Sequence, residues 1–141
     1  MTLLDAYALI AFLVGGPAAA PVRAILREGD AAVSTANLAE TLDVSQRLHG
    51  LAIDHAMQVI EPLVAGPLAT VPLSTAVAVG AADIRARHYH RTRRPISLAD
   101  SVLIASALDG PDAHRLATAD PDVLAVAREE KVPTIALPEQ G

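Results

Sequence analysis

The chain opens with the segment Leu3-Leu4-Asp5-Ala6-Tyr7-Ala8-Leu9-Ile10-Ala11, in which an apolar pair is followed by an acid and then by a longer apolar run. This pattern predicts a first strand, Leu3-Leu4-Asp5, and a helix from about Ala6 to Val14. Short apolar runs alternate with longer helical segments along the rest of the chain. Such alternation favours an α/β fold with a mainly parallel sheet.

Turn and capping residues place the remaining elements. No repeat, low-complexity tract or linker interrupts the 141 residues, so we expect a single domain over 1–141. The predicted strands are Ala31–Ser34, Thr70–Leu73, Leu116–Thr118 and Pro133–Ala136. The predicted helices are about 21–28, a segment through Leu38 and Leu48, 53–64, a long stretch from Ser74 that Pro95 breaks, 98–108, and a segment that begins at Pro121.

The composition restricts the class of protein. Hydrophobic residues make up 52% of the chain, which supports a packed core and excludes global disorder. The lack of cysteine removes disulfides, thiolate nucleophiles and cysteine-based zinc sites. No apolar run approaches the roughly 20 residues of a membrane span, and the N-terminus carries no basic signal region. We therefore expect a cytoplasmic protein without a membrane segment.

Four acids stand at predicted element boundaries, and each has a structural explanation on its own. Asp5 and Asp120 are positioned to cap the helices that follow them. The segments Asn37-Leu38-Ala39-Glu40 and Ser97-Leu98-Ala99-Asp100 each have the form of a capping box. Capping would therefore account for every one of these acids taken singly.

Taken together, the four acids predict a metal site. Asp5 and Asp120 directly follow predicted strands, and Glu40 comes one helical turn after a third strand. Asp100 lies in the first turn of the predicted helix 98–108. Because such strand ends share one edge of a parallel sheet, the acids should converge, and like charges that close need a compensating cation. Oxygen ligands favour Mg²⁺ or Mn²⁺ over zinc, and an ion of this kind held by carboxylates suits phosphodiester hydrolysis.

The segments that carry these acids resemble the motifs of the PIN-domain nucleases, and specifically of the VapC-type toxins of bacterial toxin–antitoxin pairs. The resemblance covers almost the whole chain, with all four motifs in the family's order and spacing. The segments are Leu4-Asp5-Ala6-Tyr7-Ala8-Leu9-Ile10-Ala11, Val33-Ser34-Thr35-Ala36-Asn37-Leu38-Ala39-Glu40, Ile96-Ser97-Leu98-Ala99-Asp100-Ser101-Val102-Leu103-Ile104-Ala105-Ser106-Ala107 and Leu116-Ala117-Thr118-Ala119-Asp120-Pro121-Asp122.

The resemblance implies a three-layer α/β/α fold and a Mg²⁺-dependent endoribonuclease that blocks translation, forms a homodimer and binds a cognate antitoxin. Carried over by position, it assigns both catalysis and metal binding to Asp5, Glu40, Asp100 and Asp120. Asp122 is an alternative or additional ligand, because Pro121 between the two aspartates leaves open which of them faces the metal. We expect Thr118 and Asn37 to support the site.

Basic residues are concentrated in one part of an otherwise acidic chain. The net charge of −5 argues against a surface adapted throughout to nucleic acid, yet five of the eleven Lys and Arg residues fall within 85–94, the basic stretch. This stretch could contact RNA phosphates, form a solvated helix end or bind the antitoxin. The predicted RNA contacts are Arg87, Arg91, Arg93 and Arg94.

Other classes of function fit the sequence less well. A receiver domain would need an acceptor Asp after the third strand and a late Lys, whereas Leu73-Ser74 follows that strand and the sole lysine is Lys131. A phosphatase of the Asp-x-Asp class would need an acid where Tyr7 stands. The presence of an acid at all four motif positions argues against a non-catalytic binding module. A stand-alone nuclease stays open, and a short antitoxin gene beside this one would exclude it.

Overall fold

The centre of the fold is a five-stranded sheet in which all paired strands run parallel. The computed structural model describes residues 1–139. The strands are β1 (Thr2–Leu4), β2 (Ala31–Ser34), β3 (Leu68–Val71), β4 (Arg115–Thr118) and β5 (Thr134–Ala136). Their spatial order is β3-β2-β1-β4-β5, which confirms the predicted α/β class with a parallel sheet.

Helices cover both faces of this sheet. The helices of the described chain are α1 (Ala6–Val14), α2 (Ala19–Arg27), α3 (Thr35–His49), α4 (Ile53–Val64), α5 (Thr75–His88), α6 (Leu98–Leu108) and α7 (Pro121–Glu129). Successive side chains of a strand point to opposite faces. Leu3 accordingly packs with residues of α5, α6 and α7, and Leu4 packs with residues of α1 and α2. The three-layer arrangement that the resemblance implied is confirmed.

The strand order reverses at β1 and β4. From β1 the sheet grows through β2 to β3, and the chain then returns to the other side of β1 to form β4 and β5. In a parallel sheet, the crevice outside the carboxyl ends of the strands at such a switch point is where ligands bind. Asp5 follows β1, and its N–H donates to the carbonyl of Ala117 in β4 at 3.4 Å. The topology thus places Asp5 beside the end of β4, which leads to Asp120.

β1 ends at Leu4, so Asp5, which was predicted to end this strand, follows it as the N-cap of α1. The boundaries of β3 and α5 also differ from the prediction. β3 begins two residues earlier than expected and ends at Val71, because the next residue, Pro72, has no N–H to extend the ladder. α5 ends at His88 rather than at Pro95. Residues 90–94 form a turn instead, and its two ends are joined by an antiparallel bridge.

The start of α3 also differs from the prediction, in a way that affects Glu40. The hydroxyl of Ser34 accepts a hydrogen bond from the N–H of Asn37 at 3.0 Å, so Ser34 is the N-cap. The capping box expected over 37–40 is therefore wrong. Glu40 lies in the second turn of α3, where it has no capping role.

None of the helices within residues 1–139 is by itself long and apolar enough to cross a membrane. The helices α1 and α2 reach the necessary length and composition only when taken together, and they meet at 104°. Both contribute buried side chains to the core on the Leu4 face of the sheet.

Candidate active site

Asp5 stands at the junction of β1 and α1. One of its carboxylate oxygens accepts a hydrogen bond from the N–H of Ala8 at 2.8 Å, so Asp5 is the N-cap of α1. The residue is only 8% exposed, and this burial raises the pKa of its carboxyl to about 6. Hydrogen bonds from Thr118 and Ala8 oppose the rise, and the charges of Asp100 and Glu40 add to it. Asp5 is thus a buried acid that a nearby cation would stabilise in its ionised form.

Glu40 and Asp100 approach the same place from two helices. Burial and the charge of Asp100 raise the pKa of Glu40, whereas a hydrogen bond from the Asn37 side chain lowers it. Asp100 lies in the first turn of α6, where its carboxylate accepts from the N–H of Ser97 at 2.9 Å and completes the predicted capping box. Burial raises the pKa of Asp100 as well. Both acids therefore sit where their negative charge is disfavoured.

Asp120 and Thr118 complete this edge of the sheet. Asp120 is the N-cap of α7, since its carboxylate accepts from the N–H of Asp122 at 2.8 Å. The N–H of Asp120 in turn donates to the hydroxyl of Thr118 at 3.1 Å. Thr118 is fully buried, and its side chain also lowers the pKa of Asp5, so it lies beside both acids. The charges of Asp120 and Asp122 add to the effect of burial on the pKa of Asp100.

The four predicted acids line one cavity of about 490 Å³. The apolar part of its lining includes Ile10 and Val14 of α1 and Val44 of α3. Asp122 is not among the lining residues, so Asp120 is the member of this pair that faces the cavity. From the sequence alone, either Asp120 or Asp122 could face the metal.

Three further residues that line the cavity were not singled out from the sequence as site residues. The hydroxyl of Tyr7 donates to the carbonyl of Pro138 at 2.7 Å, and this contact brings the C-terminal segment with Glu139 to the rim. His49, at the end of α3, also lines the cavity. The position of Tyr7 two residues after Asp5 could have indicated that it lines the cavity. Glu139 gives no such signal, because only folding brings the C-terminal segment to α1.

The acids line the cavity without forming a closed metal cage. Within residues 1–139, no group of three or more acidic or imidazole side chains is already placed to hold an ion. The donor set nevertheless fits a hard divalent cation. Each acid offers carboxylate oxygens, and capping occupies only one oxygen of Asp5, Asp100 and Asp120. The site is an open acidic pocket that can bind a cation or hold protons.

The basic stretch is partly neutralised by α7. Arg87 forms an ion pair with Glu130, and Arg94 forms one with Glu129 at 3.0 Å. These acids lie at the C-terminal end of α7, whereas Asp120 caps its N-terminal end. Nine helical residues, or about 13 Å of helix, separate the two ends.

Two of the four arginines predicted to contact RNA are thus held by carboxylates of the same chain. The other two, Arg91 and Arg93, are exposed in the turn at 90–94. The described residues that line the cavity include no part of the basic stretch. Any contact of these arginines with a substrate would therefore lie outside the acidic pocket.

Several solved structures are similar to this one. A chain in the crystal structure of FitAcB from Neisseria gonorrhoeae is 26% identical, with a TM-score of 0.66 over 96% of both chains. A chain of VapBC2 from Rickettsia felis, bound to a promoter DNA fragment, is 11% identical, with a TM-score of 0.69 over 97% of this chain and 98% of that one. A chain of a toxin–antitoxin complex from Klebsiella pneumoniae is 16% identical, with a TM-score of 0.64 over 89% and 91%.

A family model identifies the family of this chain, although no curated protein is similar enough in sequence to match. The PIN domain family model matches residues 2–129. This match extends from the start of β1 to the end of α7, and it includes all four acids of the cavity. The chain belongs to the PIN-domain family, which is a family of nucleases.

Proposed function

We propose that this protein is a metal-dependent endoribonuclease and the toxin of a toxin–antitoxin pair, which restrains growth by blocking translation. The observation that carries the proposal is the convergence of Asp5, Glu40, Asp100 and Asp120 on one cavity at the switch point of the sheet. Family membership supplies the reaction class, which is hydrolysis of a nucleic acid. The motif resemblance described above supports RNA as the substrate.

Mg²⁺ is the proposed cofactor, and Mn²⁺ is the alternative. Asp5 and Asp100 would hold it directly, with Glu40 and Asp120 beside them and Asp122 outside the cavity. When bound, such an ion stabilises negative charge on phosphoryl oxygens and makes a water more acidic. The raised pKa values of Asp5, Glu40 and Asp100 support this assignment, because a cation offsets the penalty on their ionised forms.

The four acids are suited to different tasks. Asp5 is buried and held by Ala8 and Thr118, so its carboxylate has a fixed position for ligation. Glu40 is half-buried and free of capping, and burial raises its pKa. Its carboxylate is therefore the best placed of the four to accept a proton from the attacking water. Hydrolysis of this kind would leave a 5′-phosphate and a 3′-hydroxyl, as the family resemblance implies.

Contacts to the RNA backbone are proposed to dominate substrate binding. The chain has only one Phe, two Tyr and no Trp, so few rings are available to stack on bases. We assign the phosphate contacts to Arg91 and Arg93. The ion pairs of Arg87 and Arg94 with α7 support a role in holding the turn rather than in binding phosphate.

An antitoxin and a second copy of the chain are the proposed protein partners, and the cytoplasm is the proposed location. The Klebsiella pneumoniae structure is a toxin–antitoxin complex. Large apolar side chains are also exposed here, including Leu48 and Val79 at 65% each and Leu98 at 59%. Leu48 lies on α3, Val79 on α5 and Leu98 on α6, and we propose these helices as the contact regions.

Asp100→Asn should lower the rate of RNA cleavage by at least about 100-fold, which is the usual scale for losing a group that acts on the reacting atoms. The fold should survive, because the asparagine oxygen can still accept the cap hydrogen bond from Ser97. The measurement is cleavage of a labelled single-stranded RNA, and of a DNA of the same sequence, with Mg²⁺ and with a chelator. Asp112→Asn, in an exposed loop, is the control. Wild-type rates in Asp100→Asn, or cleavage in the chelator, would contradict the proposal.

Asp5→Asn should stabilise the metal-free protein at high pH. A carboxyl whose pKa rises from 3.8 to about 6 on folding destabilises the fold when ionised. This penalty is absent below about pH 4 and complete above about pH 6, where it amounts to roughly 3 kcal/mol. Asparagine keeps the N-cap and carries no charge.

The measurement for Asp5→Asn is the free energy of unfolding by urea at pH 4 and at pH 8. We expect the substitution to raise the free energy of unfolding by about 1 to 3 kcal/mol at pH 8, the order set by the pKa shift, and by much less at pH 4. Asp112→Asn should show no such dependence on pH. An equal effect of Asp5→Asn at both pH values would mean that the buried charge costs nothing.

The double variant Arg91→Ala/Arg93→Ala should bind RNA more weakly and with a flatter salt dependence. Loss of two phosphate contacts should reduce the slope of log K against log salt by about 1.4. Binding would be measured in an Asp100→Asn background, so that the RNA stays intact. Arg23→Ala/Arg27→Ala on α2 removes the same charge from another surface and should leave the slope nearly unchanged. Equal slopes in all three proteins would exclude the basic stretch from RNA binding.

A further inference from the structure

We propose that Asn37 is a positioning residue that fixes Glu40 against Asp100 by tying α3 to α6. The inference rests on the proposed function, since it concerns the geometry of the same acids. It goes beyond that function by assigning a bridging role to a neutral side chain that holds together two segments 62 residues apart in the sequence.

The Asn37 side chain is held at both of its polar atoms. It is only 1% exposed. Its Oδ1 accepts a hydrogen bond from the hydroxyl of Ser34 at 2.6 Å, at the end of β2. Its Nδ2 donates to the carbonyl of Ala99 at 3.4 Å, in the first turn of α6. The amide therefore connects the end of a strand to the residue directly before Asp100.

The orientation of this amide follows from its partners. The carbonyl of Ala99 can only accept, so the atom that faces it must be the NH₂ group. The oxygen is then left for the Ser34 hydroxyl, which can donate to it. Asn37 also lies three residues before Glu40 on α3, at a spacing that puts the two side chains on one face of the helix, and its amide lowers the pKa of that carboxyl. The amide of Asn37 thus contacts the backbone directly before Asp100 and lies on the same helix as Glu40.

A neutral donor is the group that this place requires. A carboxylate there would add a further negative charge and would face the Ala99 carbonyl with no proton to donate. An apolar side chain would leave the buried Ser34 hydroxyl without this acceptor. Asn37 also adds nothing to the charge of the cavity. Its contribution is the relative placement of Glu40 and Asp100, on which the spacing of ligands around a cation depends.

The test is the affinity of purified full-length protein for Mn²⁺, measured by calorimetry, in the wild type and in Asn37→Ala. We expect binding to weaken by about 10- to 100-fold, as is typical when a residue that orients metal ligands is lost. In RNA cleavage assays kcat should fall, whereas KM for RNA should stay within a factor of about two. Asn37→Ser keeps a polar group but is too short to span to Ala99, and it serves if the alanine variant does not fold.

Thr41→Ala is the matched control, because Thr41 lies one turn later on the same buried face of α3. Its hydroxyl donates only to the carbonyl of Asn37 at 2.7 Å and does not reach α6. This variant should lose stability but keep wild-type affinity for Mn²⁺. If Asn37→Ala binds Mn²⁺ as tightly as the wild type does, or if Thr41→Ala weakens Mn²⁺ binding as much as Asn37→Ala does, the inference is wrong. The proposed function would stand in either case. A wild type that takes up no Mn²⁺ would overturn the proposed function and, with it, the inference.

Discussion

Burial of several carboxylates close together at one edge of the sheet is the constraint on which the candidate site depends. Burial and neighbouring negative charge raise the pKa values of Asp5, Glu40 and Asp100, so the folded chain pays for keeping these groups ionised. Three helix N-termini offset part of this cost, by about 0.3–1 kcal/mol each. Each of these contributions is smaller than the penalty of roughly 3 kcal/mol on Asp5 alone. A bound divalent cation is the compensation that the chemistry of the pocket favours.

The same acids also shape the fold. Asp5, Asp100 and Asp120 each accept a backbone N–H at the start of a helix, so each carboxylate is held in place by a helix N-terminus. Capping and metal binding are therefore compatible uses of one carboxylate, because each cap takes a single oxygen. Glu40 is the exception. It has no cap to hold it, and its position depends on α3 and on the contacts of Asn37.

Much of this architecture could be predicted from the sequence, for identifiable reasons. Alternating apolar runs and capping residues indicated a parallel α/β fold, and the order of the motifs brought the four acids to one edge. The pattern at 37–40 misled, because Ser34 provides a hydroxyl three residues before Asn37 and takes the cap instead. Two features could not be predicted from the sequence, because each joins segments that only the folded chain brings together. They are the ion pairs of the basic stretch with Glu129 and Glu130 and the approach of Glu139 to α1.

Anomalous diffraction from crystals soaked in Mn²⁺ locates a bound ion without reference to activity. We expect a strong anomalous peak inside the cavity, within ligand distance of oxygens from Asp5 and Asp100. Asp5→Asn crystals treated in the same way should show a much weaker peak. A fully occupied ion elsewhere on the surface, with no peak among these carboxylates, would show that they do not form the metal site.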